Sequence, residues 1–254
     1  MQNQNIISEF YLYLNKYQGD HIRISIKTSE KFNNDFSSAW KFSIEEYLFN
    51  EPSNTLPIQY PLTIFFLDFP NNVILDNLYK PYPLVNELLN ELDLQSVRKN
   101  ISEMIIKELS KEIIDAGALF SFCIYLQLDL IKAVNFNKKK ILTEVEDIIT
   151  HLCRDLPTEQ LIIIDKMVVT LYNKNRSVLK EIFAEVWNDD SSNEQNHWLM
   201  DWSKLCTGIL KNGYPTPNLY ETISSIIYKH LYLNSRLELI LSSKLIYNLI
   251  SSSE

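Results

Sequence analysis

The chain has 254 residues, of which 46% are hydrophobic and 22% charged, with a formal net charge of −8. That composition excludes wholesale disorder. The negative balance speaks against nucleic acid as a partner, because phosphates repel an acidic surface unless its basic residues are segregated; it suits a protein with a basic surface.

Six of the nine prolines lie at or before Pro83, and the chain changes character there. Residues 1–83 read as an α+β portion. Asn5 to Tyr17 reads as a helix. His21 to Lys27 alternates polar and apolar residues, the period of a strand. Phe36, Trp40, Ile44, Tyr47 and Leu48 share one helical face. Leu62 to Phe69 is a short apolar run between prolines and reads as a buried strand.

Residues 84–254 read as a helical domain, with one continuous domain over the whole chain as the alternative. Between Leu84 and Asn212 there are one proline, Pro157, and two glycines, Gly117 and Gly208. Both residue types weaken helices, so their scarcity lets helices run unbroken. Apolar residues recur at helical spacing through eight segments. Val97, Ile101, Met104, Ile105, Leu109 and Ile113 form the first stripe. Leu119 to Val134 is apolar nearly all round and reads as a central helix. The stretch Ala118 to Val134 carries Gln127, Asp129 and Lys132, and is read as too short and too polar to span a membrane. Ile141, Val145, Ile148, Ile149 and Leu152 follow. Pro157 sits where a helix start tolerates it, ahead of Leu161, Ile164, Val168 and Leu171. Then come Val178, Leu179, Ile182, Phe183, Val186 and Trp187; Trp198, Trp202, Leu205, Cys206, Ile209 and Leu210; Leu219, Ile223, Ile226 and Ile227; and Leu237, Leu241, Leu245 and Leu249.

The eight segments start near residues 95, 118, 137, 157, 175, 195, 217 and 236. Taken in pairs, they recur about every 40 residues. In this spacing, from Gln95 to Ser251, the chain resembles the HEAT and armadillo α-solenoids, which stack helical hairpins. The resemblance is architectural, since no consensus residues repeat, and an irregular bundle is the other arrangement the spacing allows. The fold class expected is mainly α, with a small α+β portion at the N-terminus.

No motif carries chemistry outright. Phosphate-cradling glycine loops and nucleophile elbows are absent, and four glycines could hardly build one. Glu194 and His197 match E-x-x-H, but a carboxylate-bridged metal site needs a second copy. Asn188 to Ser192 faintly resembles the second magnesium motif of class I terpene synthases without its glutamate, and reads as a solvated loop. His151 and Cys153 are two apart and point apart on a helix. Asp129 and Asp165 sit in very apolar helices, which allows burial with a raised pKa; the reading preferred is a salt bridge to a nearby lysine or exposure on a narrow polar stripe. Cys123, Cys153 and Cys206 are too dispersed for a disulfide framework or a zinc site and read as buried thiols in a reducing compartment. The N-terminus has no signal-peptide pattern, so a cytoplasmic location is expected. No catalytic residue, cofactor or metal is expected.

Three of the four tryptophans, Trp187, Trp198 and Trp202, flank the acidic stretch 188–196, a combination favoured in protein interfaces. Asp189, Asp190, Glu194 and Trp198 are therefore the expected partner-binding residues. In size, acidity and lack of motifs the chain resembles bacterial immunity proteins of contact-dependent inhibition. That resemblance implies a non-enzymatic inhibitor that binds a basic toxin domain, such as a nuclease. The alternatives are an all-helical enzyme whose site is scattered along the chain, or a secreted effector or scaffold.

Overall fold

The structure, a computed structural model, describes residues 7–15, 21–28, 33–52, 72–74, 88–108, 116–134, 138–187, 197–231 and 236–252. It divides into two compact units, Met1–Val85 and Asn86–Glu254.

In the first unit, β1 (Ile7–Asn15) and β2 (His21–Thr28) pair antiparallel, and α1 spans Asn33–Asn50. The β1 strand corrects the helix expected over Asn5 to Tyr17. Its residues obey period 2 as well as a helical period. Phe10, Leu12 and Leu14 lie on one face opposite Ile26, Ile24 and Ile22. Glu9, Tyr11 and Tyr13 alternate with them. Aromatic side chains with cross-strand apolar partners favour the pleated form. On the polar face Lys27 reaches Glu9 at 2.8 Å, and Tyr11 donates to the same carboxylate. In α1, Trp40, Ile44 and Leu48 are half-buried as the stripe requires, whereas Tyr47 is exposed. The strand expected over Leu62 to Phe69 lies outside the described residues.

The regular elements described in the second unit are all helices: α2 (Glu91–Glu108), α3 (Ala116–Val134), α4 (Lys138–Cys153), α5 (Thr158–Lys174), α6 (Arg176–Trp187), α7 (His197–Leu210), α8 (Thr216–His230) and α9 (Arg236–Ser251). The expected stripes are largely the buried ones. Val97, Ile101, Ile141, Val145, Leu152, Ile182, Cys206, Ile223 and Leu249 are almost fully covered. Val178 and Leu237 are exposed, and Leu109 and Ile113 lie outside the described residues. Pro157 and Pro215 occupy the N-cap positions of α5 and α8 in extended conformation, and their carbonyls accept the first helical bonds. Gly213, at φ 77°, ends the turn after α7, a conformation that a residue with a Cβ resists.

Of the two arrangements left open by the spacing, the packing is that of a bundle. A solenoid repeat touches its neighbours in sequence. Here α3 packs against α6, α7, α8 and α9. Helix α4 lies on α8 and α9, α2 on α7 and α8, and α5 on α9 and α6. The window Gly117–Val134 is in fact long and apolar enough to match a membrane span, which corrects the expectation above, and 56% of it is buried inside the protein. Its apolarity is that of a helix enclosed by other helices.

The centre is not wholly apolar. Trp202 is fully buried and its indole N–H donates to the Leu126 carbonyl at 3.0 Å. Tyr228 donates to Ser242 Oγ at 2.8 Å, and Tyr220 shares a 3.1 Å hydrogen bond with Ser243. Both serines donate in turn to the Leu239 carbonyl. These bonds pin α8 to α9 inside the core, where a lost partner costs more than at the surface.

Candidate functional site

Trp198 begins α7 and leans onto α3. Its ring lies 5.4 Å from Phe122 and 6.1 Å from Tyr125, the second contact edge-on. Trp187 stacks on Phe183 at 4.8 Å, and Trp202 is in the core. Each of the three tryptophans therefore has a packing role within unit two. Asp189, Asp190 and Glu194 lie outside the described residues, as does the side chain of His197, so the E-x-x-H match and the acidic stretch are not seen.

Asp129 and Asp165, equivalent in the sequence, part company. Asp129 is buried rather than exposed on a polar stripe. Asp165 is exposed and pairs with Lys244 of α9 at 2.5 Å. Cys123 and Cys206 are buried, and Cys153 is half-buried. Burial pushes the thiols of Cys123 and Cys206 well up, helped by the carboxylates of Glu238 and Asp129 respectively. Burial raises Cys153 too, with Lys244 acting against it. Thiols raised in this way are poor nucleophiles near neutral pH.

Several of the described acid–base groups lie where helices meet. Tyr125 donates to Glu185 at 2.5 Å between α3 and α6, and burial with that carboxylate pushes the phenol up. Tyr247 donates to Glu146 between α9 and α4. His151, in the last turn of α4, meets Glu221 of α8 with Nε2 2.8 Å from Oε2. One turn earlier on α4, Ile148 lines an apolar cavity of about 10 Å³ with Leu130, Ile131, Leu219 and Tyr220 among its other walls. Arg236 donates twice to the Leu152 carbonyl, closing the C-terminus of α4 with a cation. Among the described residues, no three His, Cys, Asp or Glu side chains gather to hold a metal ion.

A second polar knot holds the start of α2. Asp93 Oδ2 accepts from Asn90, Asn212 and Tyr214 at 2.8, 2.8 and 2.9 Å. Asn90 Oδ1 accepts from the Asp93 backbone, an N-cap bond. This cluster ties α2 to the turn between α7 and α8. The residues pairing His151 with Glu221, and Asp93 with Asn212 and Tyr214, are 70 to 121 apart in sequence. No local spacing could have flagged them.

No protein-family model matches the sequence, and no curated protein matches it. Eight chains of known structure do match in fold. One is a pyridine synthase, TbtD, from thiomuracin biosynthesis, with a TM-score of 0.61 and 16% identity over 98% of this chain and 88% of that one. This finding overturns two expectations together, the toxin-neutralising immunity protein and the absence of enzymatic activity. Both rested on a helical body with no recognisable motif, and that body has the fold of a biosynthetic enzyme, so the same lack of motifs no longer argues for a binding module. At this identity the likeness is one of fold.

Proposed function

We propose that this chain is a biosynthetic enzyme whose chemistry belongs with ring formation, as in the pyridine synthase that shares its fold. One observation carries the reading: the likeness extends over nearly the whole of both chains, including the small α+β portion as well as the helical unit. Folds host many functions, so the warrant is an analogy that the site must sustain. When a pyridine ring closes by condensation and becomes aromatic by elimination, its steps move protons and expel small groups. Such chemistry asks an enzyme for a positioned acid and base and for an enclosed, hydrogen-bonding site. Hydrogen-bonded acid–base pairs between helices of unit two, such as His151 with Glu221, supply groups of that chemical type.

The test is expression of the genes flanking this one, with and without the chain, followed by mass spectrometry and ultraviolet absorbance of the extracts. The expected result is a product with an aromatic nitrogen heterocycle that appears only when the chain is present. Identical extracts would overturn the reading.

A further inference from the structure

Helix α1 has two faces of different character. Trp40, Ile44 and Leu48 recur one turn apart and are half-buried. On the other side Phe42, Glu45, Glu46 and Phe49 stand at i, i+3, i+4 and i+7, the spacing of a single helical face, and all four are exposed. Phe42 is 66% exposed and Phe49 86%, the highest value among the large apolar side chains described. Exposed apolar residues scattered singly are ordinary, but two rings on one stripe with polar groups about them mark a contact surface. The rings stand about 10 Å apart along the helix axis, with both glutamates between them. Among the described residues no ion pair engages either carboxylate. Lys41, the one cation of α1, is half-buried.

The chemistry of this stripe selects its occupant. A purely apolar cover would strip water from two carboxylates and return nothing. A second copy presenting the same face would set carboxylate against carboxylate, and an anionic lipid surface or nucleic acid would be repelled in the same way. A cation flanked by apolar groups answers every part of the stripe. Arginine suits it best, because the planar guanidinium makes forked hydrogen bonds to carboxylates and stacks on aromatic rings. Apolar neighbours on either side of that arginine would cover the two phenylalanines.

We propose that the outward face of α1 docks a polypeptide segment carrying arginine between apolar side chains, with Glu45 and Glu46 taking the guanidinium and Phe42 and Phe49 the flanking groups. The overall charge of −8 draws such a segment toward the chain, and the stripe fixes where it settles. Docking there is independent of the ring-forming chemistry proposed above.

The test uses purified full-length chain and short fluorescein-labelled peptides in which arginine, lysine or glutamate alternates with leucine, with binding followed by fluorescence anisotropy. Two double variants probe the stripe, Glu45→Gln with Glu46→Gln and Phe42→Ser with Phe49→Ser. A third, Asp147→Asn with Glu181→Asn, removes the same charge from exposed positions of the second unit. The arginine peptide should bind wild type, the lysine peptide more weakly and the glutamate peptide not at all. Each stripe variant should weaken the arginine peptide by about 10-fold or more, as the loss of central interface groups does. The control pair should stay within about twofold, since a charge outside the contact acts only through long-range attraction. All four changed side chains of the stripe are exposed, so the melting temperatures should match wild type. No binding of the arginine peptide to wild type overturns the proposal. So does equal weakening by the control pair, which would mean attraction to net charge alone. Lysine or glutamate peptides that bind as tightly as the arginine peptide overturn it as well. If the phenylalanine variant melts early, the glutamine variant and the three peptides still decide.

Discussion

Helices α3 and α5 are both strongly apolar runs, LFSFCIYLQLDLIKAV and LIIIDKMVVTL, yet they meet opposite fates. In α3, Phe122, Cys123, Ile124, Leu126, Leu128, Leu130 and Ile131 are all buried, and so are the polar Gln127 and Asp129. In α5 only Ile164 and Val168 are buried, while Ile162, Ile163 and Val169 are 50%, 57% and 57% exposed. The difference lies in the neighbours. Helix α3 is enclosed by α6, α7, α8 and α9, whereas α5 touches α9 and α6 along one side. Apolar content alone therefore does not rank helices by depth. A polar residue such as Gln127 can therefore lie inside a largely buried helix and does not by itself mark an exposed face.

The sharpest way to break this comparison is at the α3–α7 seam. Trp202→Ala removes a fully buried ring and its bond to Leu126, and should destabilise by about 3–5 kcal/mol. A denaturant midpoint close to wild type would mean that α3 is not the centre. On the covered side of α5, Ile164→Val should cost roughly 0.5–1.5 kcal/mol, since one methylene leaves a closed contact. Arg236→Ala takes the cation from the end of α4 and should cost about 1 kcal/mol, less at high salt. On the open side of α5, Ile163→Thr should stay within about 0.5 kcal/mol of wild type, and a larger loss would show that this face is covered. Thiol labelling sharpens the contrast without any substitution. Cys153 should react with iodoacetamide before Cys123 and Cys206 in the native protein. Because burial raises its pKa, the thiolate is scarce near neutral pH, so its rate should climb as the solution is made alkaline. Labelling of Cys123 ahead of Cys153 would contradict the burial order.

Much of the helical unit was legible beforehand. The eight starts expected near residues 95, 118, 137, 157, 175, 195, 217 and 236 correspond to helices beginning at 91, 116, 138, 158, 176, 197, 216 and 236. Period-3.6 stripes and the Pro157 start carry that information locally. The first strand was misread because Phe10, Leu12 and Leu14 satisfy two periods at once, and the pairing with β2 decided between them. The candidate site was hardly legible. His151 was weighed against its sequence neighbour Cys153, whereas its partner, Glu221, belongs to a helix 70 residues away. Of the tryptophans around residues 188–196, Trp198 and Trp202 pack on α3, a contact that no local spacing records.

By itself, then, the order of residues determined roughly where the helices of the second unit begin and, for most of them, which face is apolar, because propensity and the 3.6-residue period act over one or two turns. Tertiary structure decided which helix lies at the centre, that the hairpins wrap into a bundle, and which acids and bases face one another. Those outcomes depend on contacts between residues far apart in the chain, where burial raises the thiols and phenols, the cost of enclosing a polar group is met by a partner from another helix, and no local pattern records which partner that is.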